Sequence, residues 1–256
     1  MIDDTSDNLG LVLQKITAEP DLLPEIRENE VHLWCLPLKL DAGQHKNALK
    51  LLSDHQKDKY QRRKTDLLKS TYLAGRYYLW QLLARYTGQP IDQLRLKYNR
   101  LNKPALQPNK KRLQFNYTDT FIDEGSAIGI YAFSLNQAVG VDLESLNRQG
   151  NFQRVVDKRF SMAEQAYVNE DPKQKNQRFL QLWTRKEAFG KAKGIGINFT
   201  MRELDLFSSS HDLSFKCDQH RDWQLLQIQP DKQTIACVVR EGNKPFDCQL
   251  FTQFIN

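Results

Sequence analysis

Apolar and polar positions follow an order of strand-like and helix-like stretches that occurs twice along the chain. "VHLWCLPL" (31–38) alternates as a strand does. "NALKLLSDHQKDKYQRRK" (47–64) and "DLLKSTYLAGRYYLWQLLARYTG" (66–88) then space their apolar residues as two helices, the second closed by Gly88 and Pro90. "LQFNYT" (113–118), "SAIGIYAFS" (126–134) and "AVGVDLES" (138–145) are β-rich, separated by turns, and predict strands paired in sequence. Two more helices are expected from "NFQRVVDKRFSMAEQAYVNED" (151–171) and "KNQRFLQLWTRKEAFGKAKG" (175–194), followed by strands around "ELDLFS", "WQLLQIQ" and "TIACVVR". The expectation is an α+β protein duplicated into halves 1–137 and 138–256, each an antiparallel-type sheet packed by helices, although the halves share no convincing identity.

Composition narrows the class without naming a chemistry. At 256 residues, 40% hydrophobic and 27% charged, the chain has the make-up of a soluble globular protein and can bury a sizeable core. No apolar run has membrane length, and "MIDDTSDNLG" is acidic where a secretory signal would be basic and then apolar, so the expected compartment is cytoplasmic. Cys35, Cys217, Cys237 and Cys248 show no C-x-x-C spacing, which suggests packed, reduced thiols. A net charge of +6 favours acidic partners. The basic clusters at 55–64 and 108–112 read as solvated faces unless they surround a site, and the acidic first thirty residues read as loosely ordered.

Two stretches carry candidate chemistry. In "VGVDLES" the strand alternation puts Asp142 and Glu144 on one face and Val141 and Leu143 on the other. Such a carboxylate pair on a short apolar strand is costly unless a cation compensates it, although exposed strands often carry one harmlessly. In the helix at 175–194, Trp183, Glu187 and Lys191 stand four apart and share a face, with Phe179, Leu182 and Phe189 as apolar neighbours. A plain Glu–Lys helix pair beside a core tryptophan would explain these three residues alone. Arg185, Lys186, Lys191 and Lys193 are too many amines for one carboxylate, whereas a phosphate-rich ligand with a hard cation would use both signs.

"VGVDLES" followed by "WTRKEAFGKAKG" resembles the paired G-V-D-x-E and W-x-x-K-E-A-x-x-K-x-x-G motifs of Sfp-type 4′-phosphopantetheinyl transferases. "LNKPAL" (101–106) and "FNYTDT" (115–120) are similar to that family's G-K-P and F-N-x-S-H-S segments. The resemblance implies a pseudo-twofold pair of α+β halves. It also implies transfer of the phosphopantetheine arm of coenzyme A to a serine of an acidic acyl or peptidyl carrier protein, with release of adenosine 3′,5′-bisphosphate. Asp142, Glu144 and Glu187 would hold Mg²⁺, with Mn²⁺ as the alternative. Glu187 would be the base and Lys191 would neutralise the pyrophosphate. Arg76, Lys103, Pro104, Thr118, Asp119 and Lys186 would contact coenzyme A.

Asp119 departs from the family pattern, since a carboxylate replaces a histidine where a phosphate is expected and like charges repel. Asp119→His is therefore expected to tighten coenzyme A binding. Two rivals to the enzyme are a catalytically weak relative that binds carrier domains as a scaffold, and a basic nucleic-acid-binding protein. Tyr60, Tyr72, Tyr77 and Tyr78 recur at helical spacing, which suits a core better than a base-stacking surface, so neither nucleic acid nor membrane is the expected partner. His32, His45, His55, His211 and His220 lie outside every motif and are given ordinary roles. A monomer is expected because a duplicated chain supplies both halves of its own interface.

Overall fold

A computed structural model describes residues 13–16, 25–195, 202, 204–207, 212–218 and 221–252. The fold is mixed α+β. Two sheets lie face to face with a helix outside each. The first sheet has the order β1 (Leu13–Ile16), β11 (Asp247–Phe251), β2 (Glu30–Pro37), β6 (Ala127–Leu135), β5 (Leu113–Phe121). The second has the order β7 (Val139–Ser145), β10 (Thr234–Glu241), β9 (Arg221–Ile228), β8 (Asp212–Asp218), and β3 (Leu96–Tyr98) pairs with β4 (Pro104–Leu106) as a separate hairpin. Val139, Val141 and Leu143 pack against Val31, Leu33, Ile130 and Ala132 between the sheets. Helix α3 (Asp66–Thr87) covers the other face of the first sheet, and α6 (Lys175–Lys193) covers the other face of the second.

The antiparallel expectation holds for β2, β6 and β5 and throughout the second sheet. It fails for β11 and β1, which add in parallel to β2. The last strand thus joins the first sheet and not the second that precedes it in sequence, and there Phe251 stacks on Trp34 with ring centroids 4.4 Å apart. Of the acidic first thirty residues, 13–16 form β1, while 1–12 and 17–24 lie outside the described residues.

Helix boundaries differ from the periodicity at two serines. The helix read across 47–64 is α1 (Ala42–Leu51) and α2 (Asp54–Gln61), and the one read across 151–171 is α4 (Gln153–Arg159) and α5 (Met162–Glu170). Ser53 with Gln56 and Ser161 with Glu164 form capping boxes, each side chain accepting from the other residue's backbone N–H, so a new helix starts where the apolar spacing runs on. Gly88 and Gly194 end α3 and α6 in the left-handed region, at φ 70° and 71°. Residues 204–207 of the expected strand "ELDLFS" are not a strand, and Glu203 and Ser208 lie outside the described residues. Their backbone is claimed instead by buried side chains: Leu206 donates to Glu164, and the Leu204 and Leu206 carbonyls accept from Lys186 and Arg185.

Among the described residues, Cys35, Cys237 and Cys248 are buried and outside any disulfide, and no helix is long and apolar enough to cross a membrane. His211 and His220 lie outside the described side chains. His32 is fully buried, its Nδ1 is 2.8 Å from the Tyr86 hydroxyl, and burial holds its pKa down at about 4 against the opposing pull of Glu30. Because the folded pKa lies below the unfolded value, the unfolded chain takes up the proton first as pH falls. Stability is expected to drop between pH 6.5 and 4, by up to about 3 kcal/mol. Denaturant unfolding across that range checks this, and His32→Leu should flatten that part of the pH profile.

Candidate active site

Strand β7 divides its side chains as the alternation requires. Val139, Val141 and Leu143 enter the inter-sheet core, and Asp142 and Glu144 face α6. The two elements approach closely because residue 140 is glycine. A Cβ there would stand 2.2 Å from the Ala188 carbonyl oxygen and 2.3 Å from the Ala192 nitrogen, both backbone atoms that cannot move aside. Gly140→Ala is expected to cost about 1–3 kcal/mol by thermal or denaturant unfolding, through overpacking at this contact.

Helix α6 turns the expected face toward β7. The Trp183 indole N–H donates to Glu144 Oε1 at 3.1 Å, and Lys191 Nζ donates to Asp142 Oδ1 at 2.6 Å and Thr118 Oγ1 at 2.9 Å. Arg148, one turn of chain beyond Glu144, donates to the same Glu144 oxygen. All three carboxyl groups titrate above their ordinary range. Burial is the main cause in each, opposed by Lys191 at Asp142 and by Arg148 at Glu144. At Glu187, burial and then the Asp142 charge push the pKa up to about 7.

These groups are electrostatically coupled without being drawn into a cage. Among the described residues, no three His, Cys, Asp or Glu side chains stand in a metal-holding arrangement, because Lys191 and Arg148 engage Asp142 and Glu144. One atom does fit a hard cation. Asp142 is 4% exposed and its Oδ2 has no hydrogen-bond partner, an uncompensated acceptor that an oxygen-seeking divalent ion would satisfy. Asp142 is thus the residue that could meet one here, with Glu144 and Glu187 coupled to it but not gathered around a shared point.

Beside this acidic cluster runs a cleft of about 240 Å³, bounded by α2, α3, the β3–β4 hairpin, β5 and the end of α6. Arg76, Lys103, Pro104 and Lys191 all line it, which joins three of the sequence segments at one place. The Arg76 guanidinium lies 5.3 Å from the Tyr72 ring and 5.8 Å from the Tyr117 ring, and its buried Nε has no partner. His55 and Lys59 also line the cleft, so the 55–64 cluster is partly a wall of it and not only a solvated face. Neither residue was singled out by the sequence, because a basic run looks the same on either surface.

The pleat separates Thr118 from Asp119. Thr118 faces Lys191, whereas Asp119 is exposed on the side of Tyr117, whose hydroxyl its charge pushes further up. Lys186 does not reach the site. It is fully buried, with Nζ 2.8 Å from Glu164 and 2.6 Å from the Leu204 carbonyl oxygen, so its expected contact with coenzyme A is corrected to a structural ion pair. Arg185 is likewise buried, bonded to Gln227 and Leu206. Two of the four amines that argued for phosphate therefore serve the core.

Comparison with known proteins bears on what such an arrangement does. A model of the 4′-phosphopantetheinyl transferase superfamily matches residues 138–239, which span β7 to β10. The chain is 26% identical over 217 residues to the 4′-phosphopantetheinyl transferase HetI of Nostoc sp., covering 84% of this chain and 89% of that protein. It is 29% identical over 156 residues to a putative 4′-phosphopantetheinyl transferase of Synechocystis sp., covering 60% and 61%. With the L-aminoadipate-semialdehyde dehydrogenase-phosphopantetheinyl transferase of Mus musculus it shares 26% identity over 140 residues, covering 52% and 45%. The β7–α6 pairing thus lies in the stretch similar to the 4′-phosphopantetheinyl transferase superfamily, and a transferase of that kind aligns with most of the chain.

Proposed function

We propose that this protein transfers the 4′-phosphopantetheine arm of coenzyme A to a serine hydroxyl of an acidic acyl or peptidyl carrier protein, releasing adenosine 3′,5′-bisphosphate. The observation that carries the reading is the junction of the acidic cluster with the basic cleft at Lys191, which bonds Asp142 and also lines the cleft. In the reaction, the serine oxygen forms a bond to the pantetheine-side phosphorus of the pyrophosphate, and the bond from that phosphorus to the bridging oxygen breaks. The adenosine bisphosphate leaves with the electron pair. Such transfers ask mainly for alignment and charge neutralisation.

Each side chain has a part in that scheme. Arg76 and Lys191 offer positive charge along the cleft, and the Arg76 guanidinium is within cation–π reach of the Tyr72 and Tyr117 rings. Glu187, a buried carboxylate beside Asp142 on the helix face that meets the site, is read as the group that accepts the serine proton. Trp183 fixes Glu144 by its indole N–H. A divalent cation held by Asp142, Glu144 and Glu187 would supply neutralisation and orientation of the pyrophosphate. Thr118, rather than Asp119, stands with Lys191.

The chain is read as two similar halves acting as a monomer. In support, β2–β6–β5 and β7–β10–β9 place first and last strands as neighbours in the same antiparallel order. The test is chromatographic: adenosine 3′,5′-bisphosphate should appear from coenzyme A only when apo carrier protein and Mg²⁺ are both present. Its formation without carrier would point to hydrolysis instead of transfer.

A further inference from the structure

The β3–β4 hairpin is a poor candidate for a rigid wall on its own. Its strands are three residues each, most of its side chains are half-exposed or exposed, and open space flanks it on both sides, in the cleft already described and in a second one of about 550 Å³. What fixes it lies in the other half of the chain. Asn99 donates from Nδ2 to the Gly194 carbonyl oxygen at 3.2 Å, and Lys103 Nζ donates to the carbonyl oxygens of Ala192 and Val139. Two of these three acceptors are at the carboxyl end of α6, where helical carbonyls lack partners and the negative end of the helix dipole favours a cation.

Asn99 also builds the turn that presents Lys103 and Pro104. Its Oδ1 accepts from the backbone N–H of Leu101 at 2.9 Å and of Lys103 at 2.8 Å, and its main chain pairs with Lys103 and Asn102. That turn takes Asn102 into the left-handed region at φ 64°. Gly194 leaves room for the junction, since a Cβ there would meet Asn99 Nδ2 at 3.0 Å and Lys103 Cδ at 3.1 Å.

The geometry points to Asn99 as a positioning residue that clamps the hairpin wall of the cleft to the end of the helix bearing Glu187 and Lys191. The inference rests on reading this cleft as the coenzyme A site. It extends that reading by tying the width of the cleft to a residue that touches neither carboxylate nor phosphate. Asn99 is exposed, so its bonds compete with water and contribute little to global stability. They decide placement instead.

The experiment compares wild type, Asn99→Ala and Asn99→Asp. Asn99→Ala removes all three side-chain bonds, whereas Asn99→Asp keeps the two acceptor bonds of the turn and loses only the donor to Gly194. Hydrogen exchange over residues 96–106 reads the turn that Asn99 builds without any ligand, and Asn99→Ala should exchange at least about 10-fold faster at the Leu101 and Lys103 amides. Asn99→Asp should retain that protection. Both variants should raise the coenzyme A KM about 10-fold while kcat falls less than about 3-fold, with melting temperature nearly unchanged. Unchanged exchange in Asn99→Ala, or an unchanged KM in both variants of an active enzyme, overturns the inference. A wild type without transferase activity would instead count against the proposed function, and the exchange result would still decide whether Asn99 holds the turn that presents Lys103.

Discussion

Glu187→Gln is expected to lower turnover by about 10²–10⁴-fold, the range for removal of a positioned general base. The carboxyl group it replaces is buried and repelled by Asp142, and its pKa is pushed up to about 7. Glutamine keeps the shape and removes that desolvated charge, so the variant should fold and melt no lower than wild type. Steady-state transfer to a carrier protein, read beside a thermal melt, separates the two effects. Loss of activity together with a large loss of stability would assign Glu187 to the fold. Unimpaired turnover would remove it from the chemistry.

Lys186→Met carries the largest expected loss of stability, about 3–5 kcal/mol, the cost of leaving one member of a buried ion pair alone. Lys186 and Glu164 are both fully buried, and Glu164 also holds the Ser161 and Leu206 N–H groups. Losing the ammonium strands that carboxylate between the start of α5 and the 204–207 segment. Adding Glu164→Gln should restore much of the loss, because glutamine leaves no unpaired charge. Denaturant unfolding of the single and double variants measures this. A Lys186→Met protein of wild-type stability with weakened coenzyme A binding would return Lys186 to the cleft.

The contrast between neighbouring residues shows where the sequence was legible. Trp183, Glu187 and Lys191 could be placed on one face because helical spacing is local, and that face meets β7 as expected. Lys186 is adjacent to Glu187 in sequence but about 100° around the helix, and only the packing of α5 and the 204–207 segment reveals that this side is core. The same limit applies to the 55–64 cluster, whose contact with the cleft depends on how α2 docks. Ser53 and Ser161 carried readable capping boxes, yet the continuous apolar rhythm overrode them. The crossing of β11 into the first sheet is a long-range pairing that no local pattern encodes.

The most direct measurement is intact mass spectrometry of an apo carrier protein after incubation with this protein, coenzyme A and Mg²⁺, with Glu187→Gln and metal-free reactions alongside. The account predicts one phosphopantetheine-sized mass gain on the carrier serine that disappears in both controls. A carrier left unmodified by the wild-type protein, or modified equally with Glu187→Gln, would contradict it.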